Sequence, residues 1–341
     1  MSLTLPELDW RVQTRAVEQI KTPPKMLQDL IFKNRHPNPT DTIEIDIMKG
    51  GKKLAPFVTD LEGGKIISGS TRESRVIKTP RIRLKEPLTA KKLLGERGVG
   101  QTYYAGGISD INQAMNQKIA WENRELKNRI LNRIEWMAAQ ALTGKMTVAQ
   151  DNIAFQVDYL MPAANKITLG SGVTWAAGDT GNPLDNIQSW TDQIVNDLGY
   201  GPDILICGIN AAAALRKKVA ADEWFDVRRV SAGSFNWNMT SNYMGDLGGI
   251  SVYRYGSLYE DASGADQNLI DPDKVYLVAT SARFSIEFGI ILDLDAGATV
   301  VGEMFAKNWK TKDPSVLWNL IESRPLPVMW QPEAVIEATV L

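Results

Sequence analysis

Residues 108–143 read ISDINQAMNQKIAWENRELKNRILNRIEWMAAQALT and carry the strongest structural signal in the chain. Apolar residues recur there at roughly helical spacing, and no proline interrupts them. Ser109 or Asp110 can cap the first turn, and Gly144 follows the last turn, where a left-handed residue is favoured. The stretch therefore predicts one helix of about 50 Å, which is longer than a small domain needs.

The segment before this helix, residues 41–97, has the pattern of an extended β-hairpin. Residues 42–47 and 81–85 alternate apolar and polar side chains, and the Gly-Gly pairs at 50–51 and 63–64 are typical of turns. Large apolar residues are few, and a two-stranded ribbon of this kind is marginal alone in water. We therefore expect a neighbouring subunit to hold it.

Charge is distributed unevenly along the 341 residues. The whole chain has 38 Lys and Arg against 40 Asp and Glu, so the net charge is −2. Residues 49–97 alone have 13 basic and 5 acidic residues. This basic segment is either a solvated surface or an arm that meets an acidic surface on another copy, because opposite charges steer such contacts.

The first 40 residues are predicted to be a mostly extended arm. Prolines at 6, 23, 24, 37 and 39 interrupt every periodic stretch. Apolar residues between Met26 and Phe32 indicate one short helix after Pro24. The only histidine, His36, lies beside Pro37 and Pro39 in what reads as a loop.

The chain beyond the long helix has the pattern of a compact α+β domain. Asn182-Pro183 begins a predicted helix that Gly199 ends, residues 203–207 form a central strand, and Asn210 caps a second helix to about Ala221. Six further strands follow, and Arg324–Pro327 is predicted to be a turn before the last one.

Composition excludes several classes of protein. One cysteine, Cys207, excludes an intrachain disulfide and a multi-thiolate metal site. The near-zero net charge argues against a whole-protein electrostatic grip on nucleic acid or on an anionic membrane. No apolar run reaches the ~18 residues of a membrane-spanning helix, and no signal peptide is recognisable.

No catalytic constellation is found, and the sequence predicts no catalytic, cofactor-binding or metal-ligating residue. Gly208 lies between a strand and a helix, but the other glycines of a nucleotide loop are missing. The Asp271/Asp273 and Asp293/Asp295 pairs flank strands and read as turn residues. Cys207 is predicted to be a buried apolar residue.

The order of these parts resembles the major capsid proteins of tailed phages, which share the Hong Kong 97-type fold. More narrowly, it resembles the lambda-type capsid protein E family. The resemblance covers nearly the whole chain. It is carried locally by Leu54–Val58, by Ala306–Thr311 with Asp313-Pro314, and by Ile321–Leu326.

This resemblance implies an α+β fold with an N-terminal arm, an extended hairpin loop, a peripheral domain with a long spine helix, and an axial domain. The implied ranges are 1–40 for the arm, 41–97 for the hairpin loop, 98–182 for the peripheral domain with its spine helix at 108–143, 183–300 for the axial domain, and 301–341 for the return to the peripheral domain.

The implied function is that of a non-enzymatic phage head subunit, which assembles in the host cytoplasm into pentamers, hexamers and an icosahedral shell. Expected partners are further copies, a separate scaffold protein, a decoration protein, a portal and packaged double-stranded DNA, with no membrane. Basic side chains expected at contacts between subunits are Lys52, Lys53, Arg72, Arg75, Arg81, Arg83, Arg124 and Arg133.

Three alternatives remain open at this stage. The same fold could serve an encapsulin-type compartment or a tail tube. An α/β enzyme could use carboxylates such as Asp293 and Asp295. A nucleic-acid binder could use the basic stretch 49–97.

Overall fold

The structure is a computed structural model that describes residues 10–49 except Pro24, 71–89, 108–150, 153–221, and 242–341 except Ala262 and Pro314. Five α-helices are present within these ranges. Their bounds are α1 Trp10–Gln19, α2 Met26–Leu30, α3 Ile108–Leu142, α4 Pro183–Leu198 and α5 Ile209–Ala221.

The described strands number twenty. Before α4 they are β1 Asn34–Pro37, β2 Thr42–Lys49, β3 Thr71–Lys78, β4 Ile82–Thr89, β5 Lys145–Gln150, β6 Ile153–Asp158 and β7 Lys166–Thr168. The next seven strands, which follow α4, are β8 Ile204–Cys207, β9 Tyr243–Leu247, β10 Ile250–Arg254, β11 Leu258–Glu260, β12 Asp266–Asn268, β13 Lys274–Val278 and β14 Phe284–Phe288. The last six are β15 Ile291–Asp293, β16 Ala298–Val300, β17 Phe305–Thr311, β18 Val316–Ser323, β19 Pro325–Met329 and β20 Val335–Thr339.

The chain divides into two compact units, each made of several segments. The first unit comprises Met1–Ile43, Lys78–Ala138 and Ser285–Pro327. The second unit comprises Glu44–Ile77, Ala139–Phe284 and Val328–Leu341.

The first unit is organised around α3 and a three-stranded antiparallel sheet in the order β17, β18, β4. Strand β4 pairs with β18 along its whole length, from Ile82 opposite Ser323 to Thr89 opposite Val316. Leu88, Leu317 and Ile119 pack together, which joins this sheet to the long helix. The predicted helix at 108–143 is confirmed, with its last helical residue at Leu142.

The second unit contains a six-stranded mixed sheet in the order β7, β20, β13, β8, β10, β9. Strand β8 is an inner strand of this sheet, and all four of its residues are buried, as a continuous apolar run predicts. The C-terminal strand β20 pairs with β13, so the predicted return segment 301–341 contributes to both units.

Helix α4 forms as its sequence predicts. The side chain of Asn182 accepts a hydrogen bond from the backbone N–H of Leu184, and Pro183 takes the first helical position. Gly199 ends the helix with a φ of 85°, in the left-handed region that glycine adopts without strain.

The prediction of an extended chain around residues 10–19 was wrong, because this segment is helix α1. Its buried face presents Gln13 and Val17. Thr14 fixes it to β17, since its Oγ1 accepts from the N–H of Ala306 at 3.1 Å and donates to the same residue's carbonyl at 3.2 Å. The helix is amphipathic, and its hydrogen bonds to β17 add tertiary packing to that local pattern.

Two predicted non-strand segments are strands. His36 lies on β1, which pairs in parallel with β14, and the predicted turn at Arg324–Pro327 is mostly strand β19. Both strands are at the edges of a sheet in the order β1, β14, β19, where a proline can lack its N–H without breaking an internal ladder. Asn210 was also misplaced, because α5 already begins at Ile209.

Candidate assembly surface

Strands β2 and β3 form a two-stranded ribbon that pairs with no other strand in the described part of the chain. The name "ribbon" is used below for these two strands. Such a pair has little stability without further cover. The described structure thus agrees with the sequence in presenting a hairpin that is not part of a larger sheet.

The root of the ribbon is closed by Thr79. Its N–H donates to the carbonyl of Asp41 at 2.9 Å, and its Oγ1 donates to the same oxygen at 3.0 Å. Gly289 packs so closely that a Cβ there would come within 2.2 Å of the Thr79 hydroxyl. A side chain at 289 would force Thr79 to shift from the hydrogen bonds that join the two legs of the hairpin.

Glu322 on β18 anchors the returning leg. Its carboxylate is fully buried, and Arg81 binds both oxygens, with Nε 2.6 Å from Oε1 and Nη2 2.8 Å from Oε2. Arg83 lies 3.5 Å from the same carboxylate. The hydrogen bond to Glu322 raises the pKa of Arg81, so the guanidinium stays charged. This bidentate geometry is the strong form of a charge-assisted hydrogen bond.

A second charged group links β15 to β17. Lys307 Nζ lies 2.7 Å from a carboxylate oxygen of Asp293 and 2.6 Å from one of Asp295. Burial acts to lower the pKa of Lys307, but hydrogen bonds to the two aspartates outweigh it and hold that pKa above its ordinary value. Both carboxylates of the enzyme alternative are therefore paired with one lysine, and Arg83 lies 3.9 Å from that of Asp293.

The long helix α3 holds the N-terminal segment through two charged side chains. Lys127 donates from Nζ to the carbonyls of Val17, Glu18 and Ile20, at 2.8, 3.0 and 3.0 Å, where α1 ends. Burial lowers the pKa of Lys127. A cation at a helix C-terminus and three satisfied carbonyls together stabilise this junction.

Glu135 of α3 accepts hydrogen bonds at the start of α2. Its Oε1 accepts from the N–H of Leu27 at 2.8 Å, and its Oε2 accepts from the Gln28 side chain at 3.1 Å. Helix N-termini have unsatisfied N–H groups and favour negative charge. Two charges two turns apart on α3 thus fix the segment that precedes the ribbon.

The described members of the predicted contact set lie on different elements of the chain. Lys52 and Lys53 lie outside the described residues, and Arg72 and Arg75 are on β3. Arg124 is exposed on α3, and the guanidinium of Arg133 lies 4.6 Å from the ring centre of Trp136. The pair Arg81 and Arg83 shares Glu322.

Sequence reasoning missed Glu322, Lys127, Glu135 and the Lys307 group. Glu322 had one signal, because it is a charged residue at the end of a run predicted to be a buried strand. Lys127 and Glu135 carried none, since charged residues on a long helix usually face water.

The space beside Gly208, where a nucleotide-binding loop would hold a phosphate, is filled by protein. A Cβ at Gly208 would come within 2.4 Å of the Asp271 carbonyl, so the neighbouring loop occupies this space. The N–H groups of Asn210 and Ala211 both donate to the Pro272 carbonyl at 3.0 Å. The first turn of α5 is therefore satisfied by protein, as a strand–helix turn requires.

The remaining titratable residues agree with structural roles. The backbone N–H of Asp273 donates to the Asp271 side chain, and that of Asp295 donates to the Asp293 side chain, which is the predicted turn chemistry. Cys207 is fully buried, and burial raises its pKa to about 12. Within the described ranges, no three His, Cys, Asp or Glu side chains are grouped to hold a metal ion. A bilayer-spanning helix is also missing from these ranges.

Proteins of known structure with a similar fold include a phage capsid protein and an encapsulin. A candidate prophage capsid protein of Escherichia coli CFT073 superposes with a TM-score of 0.73 at 20% identity, over 98% of this chain and 99% of that one. The SrpI encapsulin of Synechococcus elongatus PCC 7942 gives 0.53 at 8% identity, over 97% and 95%. These likenesses establish the α+β Hong Kong 97-type fold, which the sequence predicts.

Comparison of sequences gives the family. The chain is 24% identical to the major capsid protein of Enterobacteria phage P21 over 330 residues, covering 90% of this chain and 92% of that protein. The P21 prophage-derived major head protein of Escherichia coli O6:H1 strain CFT073 matches equally. The model of the family described as phage major capsid protein E matches residues 9–340, and this chain belongs to that family.

Proposed function

We propose that this protein is the building block of the icosahedral head of a tailed double-stranded DNA phage, assembling as pentamers and hexamers. The family match over residues 9–340 carries the proposal, because a capsid subunit of this family acts by assembling many copies. The role is structural, and its free energy comes from contacts between copies rather than from chemistry on a substrate.

The ribbon and the exposed part of α3 support this function physically. A two-stranded hairpin with few apolar residues gains stability when it lies on another molecule. Heterologous contacts that close by rotation give rings, and rings of five and six can tile a closed shell. We propose that residues 41–97 are the extended loop that lies on a neighbouring copy, with 1–40 as the arm, 98–182 and 301–341 as the peripheral domain, and 183–300 as the axial domain.

Two of the basic residues act within their own chain, because Arg81 and Arg83 bind Glu322 at the base of the ribbon. We propose that Lys52, Lys53, Arg72 and Arg75 of the loop, with Arg124 and Arg133 of α3, contribute to contacts between copies. Acidic surfaces elsewhere on the chain provide the opposite charge.

A separate scaffold protein, a decoration protein and a portal are proposed as partners, and packaged DNA would lie against the inner face. The net charge of −2 fits an inner face that tolerates DNA without gripping it. Assembly is proposed to take place in the host cytoplasm, and the finished protein lies in the virion.

The test is expression of the full chain with and without the scaffold protein of its own phage, followed by sedimentation and negative-stain electron microscopy. We expect pentamers, hexamers and closed shells when the scaffold is present. Uniform small shells around a cargo enzyme from the chain alone would favour the encapsulin alternative. A protein that stays monomeric in both conditions would overturn the proposal.

The loop is tested by a deletion that ends before β4. Removing residues 46–74 and joining the ends with a short Gly-Ser linker leaves β4 paired with β18 and keeps Leu88 in its cluster. We expect a folded, soluble subunit that forms no closed shells. Normal shells from this deletion would refute the role of the loop.

A further inference from the structure

A cavity of about 590 Å³ lies within the second unit, between α5 and the segment Trp175–Gly178. This volume is in the range of pockets that hold small molecules, roughly 300–1,000 Å³. Neither the family nor the proposed shell function assigns a role to it. Its wall is mainly apolar, with a few polar groups, which is the usual composition of a ligand pocket.

Helix α5 provides one continuous wall of the cavity. The lining residues of this helix are spaced by three and four, so they share one face. They are Asn210, Ala213, Ala214, Lys217 and Lys218. The alanines leave the space open, and the lysines bring positive charge to one end of it.

Trp175 provides an unused hydrogen-bond donor. The side chain is 1% exposed and stacks on Trp190, with ring centres 6.1 Å apart. Its Nε1 is buried and has no acceptor among the described residues. Burying such a donor without a partner costs about 1–3 kcal/mol, and the indole ring of Trp175 forms part of the apolar cavity wall.

Two lysines place positive charge at one end of the cavity, and the nearby Asp179 carboxylate, which interacts with Lys218, offsets part of it. Lys217 is exposed and forms no ion pair with any described residue. Lys218 donates to the backbone carbonyl of Asp179. The Asp179 carboxylate accepts from the Thr174 hydroxyl, which lowers its pKa and satisfies part of its own hydrogen-bonding capacity.

We propose that this cavity binds a small apolar carboxylate. The apolar body of the ligand lies against Ala213 and Ala214, and the carboxylate accepts from the lysines of α5. The inference does not depend on shell assembly, because every group that it uses belongs to one unit of a single chain.

The test uses decanoate as the probe and the full chain as the protein. Isothermal titration calorimetry should give one site per chain, and the melting temperature should rise with decanoate concentration, as for any ligand that binds the folded state alone. Decylamine, which has the same chain length and the opposite charge, should bind at least ten-fold more weakly. Equal binding of the two probes, or no binding of decanoate up to about 1 mM, would overturn the proposal.

Two variants locate the site. Ala213→Trp fills the cavity and should abolish binding, and Lys217→Glu should weaken it about ten-fold. Lys217 is exposed, so its variant will fold even if the Ala213 variant does not. The control is Lys145→Glu, an exposed lysine on β5 outside the cavity, which should leave binding unchanged. Unchanged binding in Lys217→Glu would place the ligand elsewhere and refute the site.

Discussion

Arg81 binds the buried carboxylate of Glu322 through two atoms of its guanidinium, with Nε and Nη2 at 2.6 and 2.8 Å from the two oxygens. The pair joins β18 of the first unit to the residue just before β4. It therefore lies at the point where the chain returns from strand β3 of the ribbon.

Glu322→Gln should lower the free energy of unfolding by about 2–3 kcal/mol. Breaking a buried ion pair costs about 3–5 kcal/mol, and the partial exposure of Arg81 reduces this figure. Urea denaturation of the unassembled subunit measures the change. The control is Glu125→Gln, which removes an exposed pair with Arg129 and should cost under about 0.5 kcal/mol. Equal losses in the two variants would contradict the anchoring role of Glu322.

Lys127→Met should loosen the end of α1, because it leaves the carbonyls of Val17, Glu18 and Ile20 without their common donor. We expect faster amide hydrogen exchange over residues 14–23 and a loss of about 1–3 kcal/mol. Lys118→Met is the matched control, since this lysine of the same helix lies over the exposed ring of Trp121. Unchanged exchange in the Lys127 variant would show that packing alone holds α1.

Gly289→Ala should destabilise the root of the ribbon by about 1–3 kcal/mol, since the new methyl group would overlap the Thr79 hydroxyl. The matched control is Gly302→Ala, because the nearest atom to a Cβ at 302 is 3.8 Å away. Thermal unfolding of both variants decides the point. A Gly289 variant as stable as the Gly302 variant would mean that Thr79 moves aside without cost.

Cys207 should make stability fall at high pH. Burial raises its pKa from 9.0 to about 12, so the unfolded chain releases the thiol proton before the folded one does. The stabilising contribution is complete below pH 9 and is lost as pH rises towards 12, about 2–3 kcal/mol of it by pH 11. The stability advantage of wild type over Cys207→Ala should shrink by that amount between pH 8 and pH 11. A constant difference across this range would contradict the burial of the thiol in the folded state.

Periodicity predicted the elements whose stability is local. The helix at 108–142, the capped helix after Asn182 and the buried strand at Cys207 all follow from spacing, caps and apolar runs. The family resemblance, carried by Ala306–Thr311 and Ile321–Leu326, supplied the fold that no single element defines.

The errors occurred where distant segments determine structure. Residues 10–19 form a helix because Thr14 meets Ala306, almost 300 positions away in the chain. Pro325 lies in a strand because an edge position accepts proline. Glu322 and Lys127 were missed as charged interior residues because their partners are remote in sequence, which a local pattern does not reveal.

The two hydrogen bonds from Thr79 to the Asp41 carbonyl have a mechanical consequence. The backbone runs directly from β3 through Thr79 into β4. A force that pulls on the hairpin would therefore act first on the Thr79–Asp41 hydrogen bonds and on the ion pair of Arg81. It is then shared by the eight residues of β4 that pair with β18. If pressure inside a shell pulled on the hairpin, the hydrogen bonds between β4 and β18 would carry that force together.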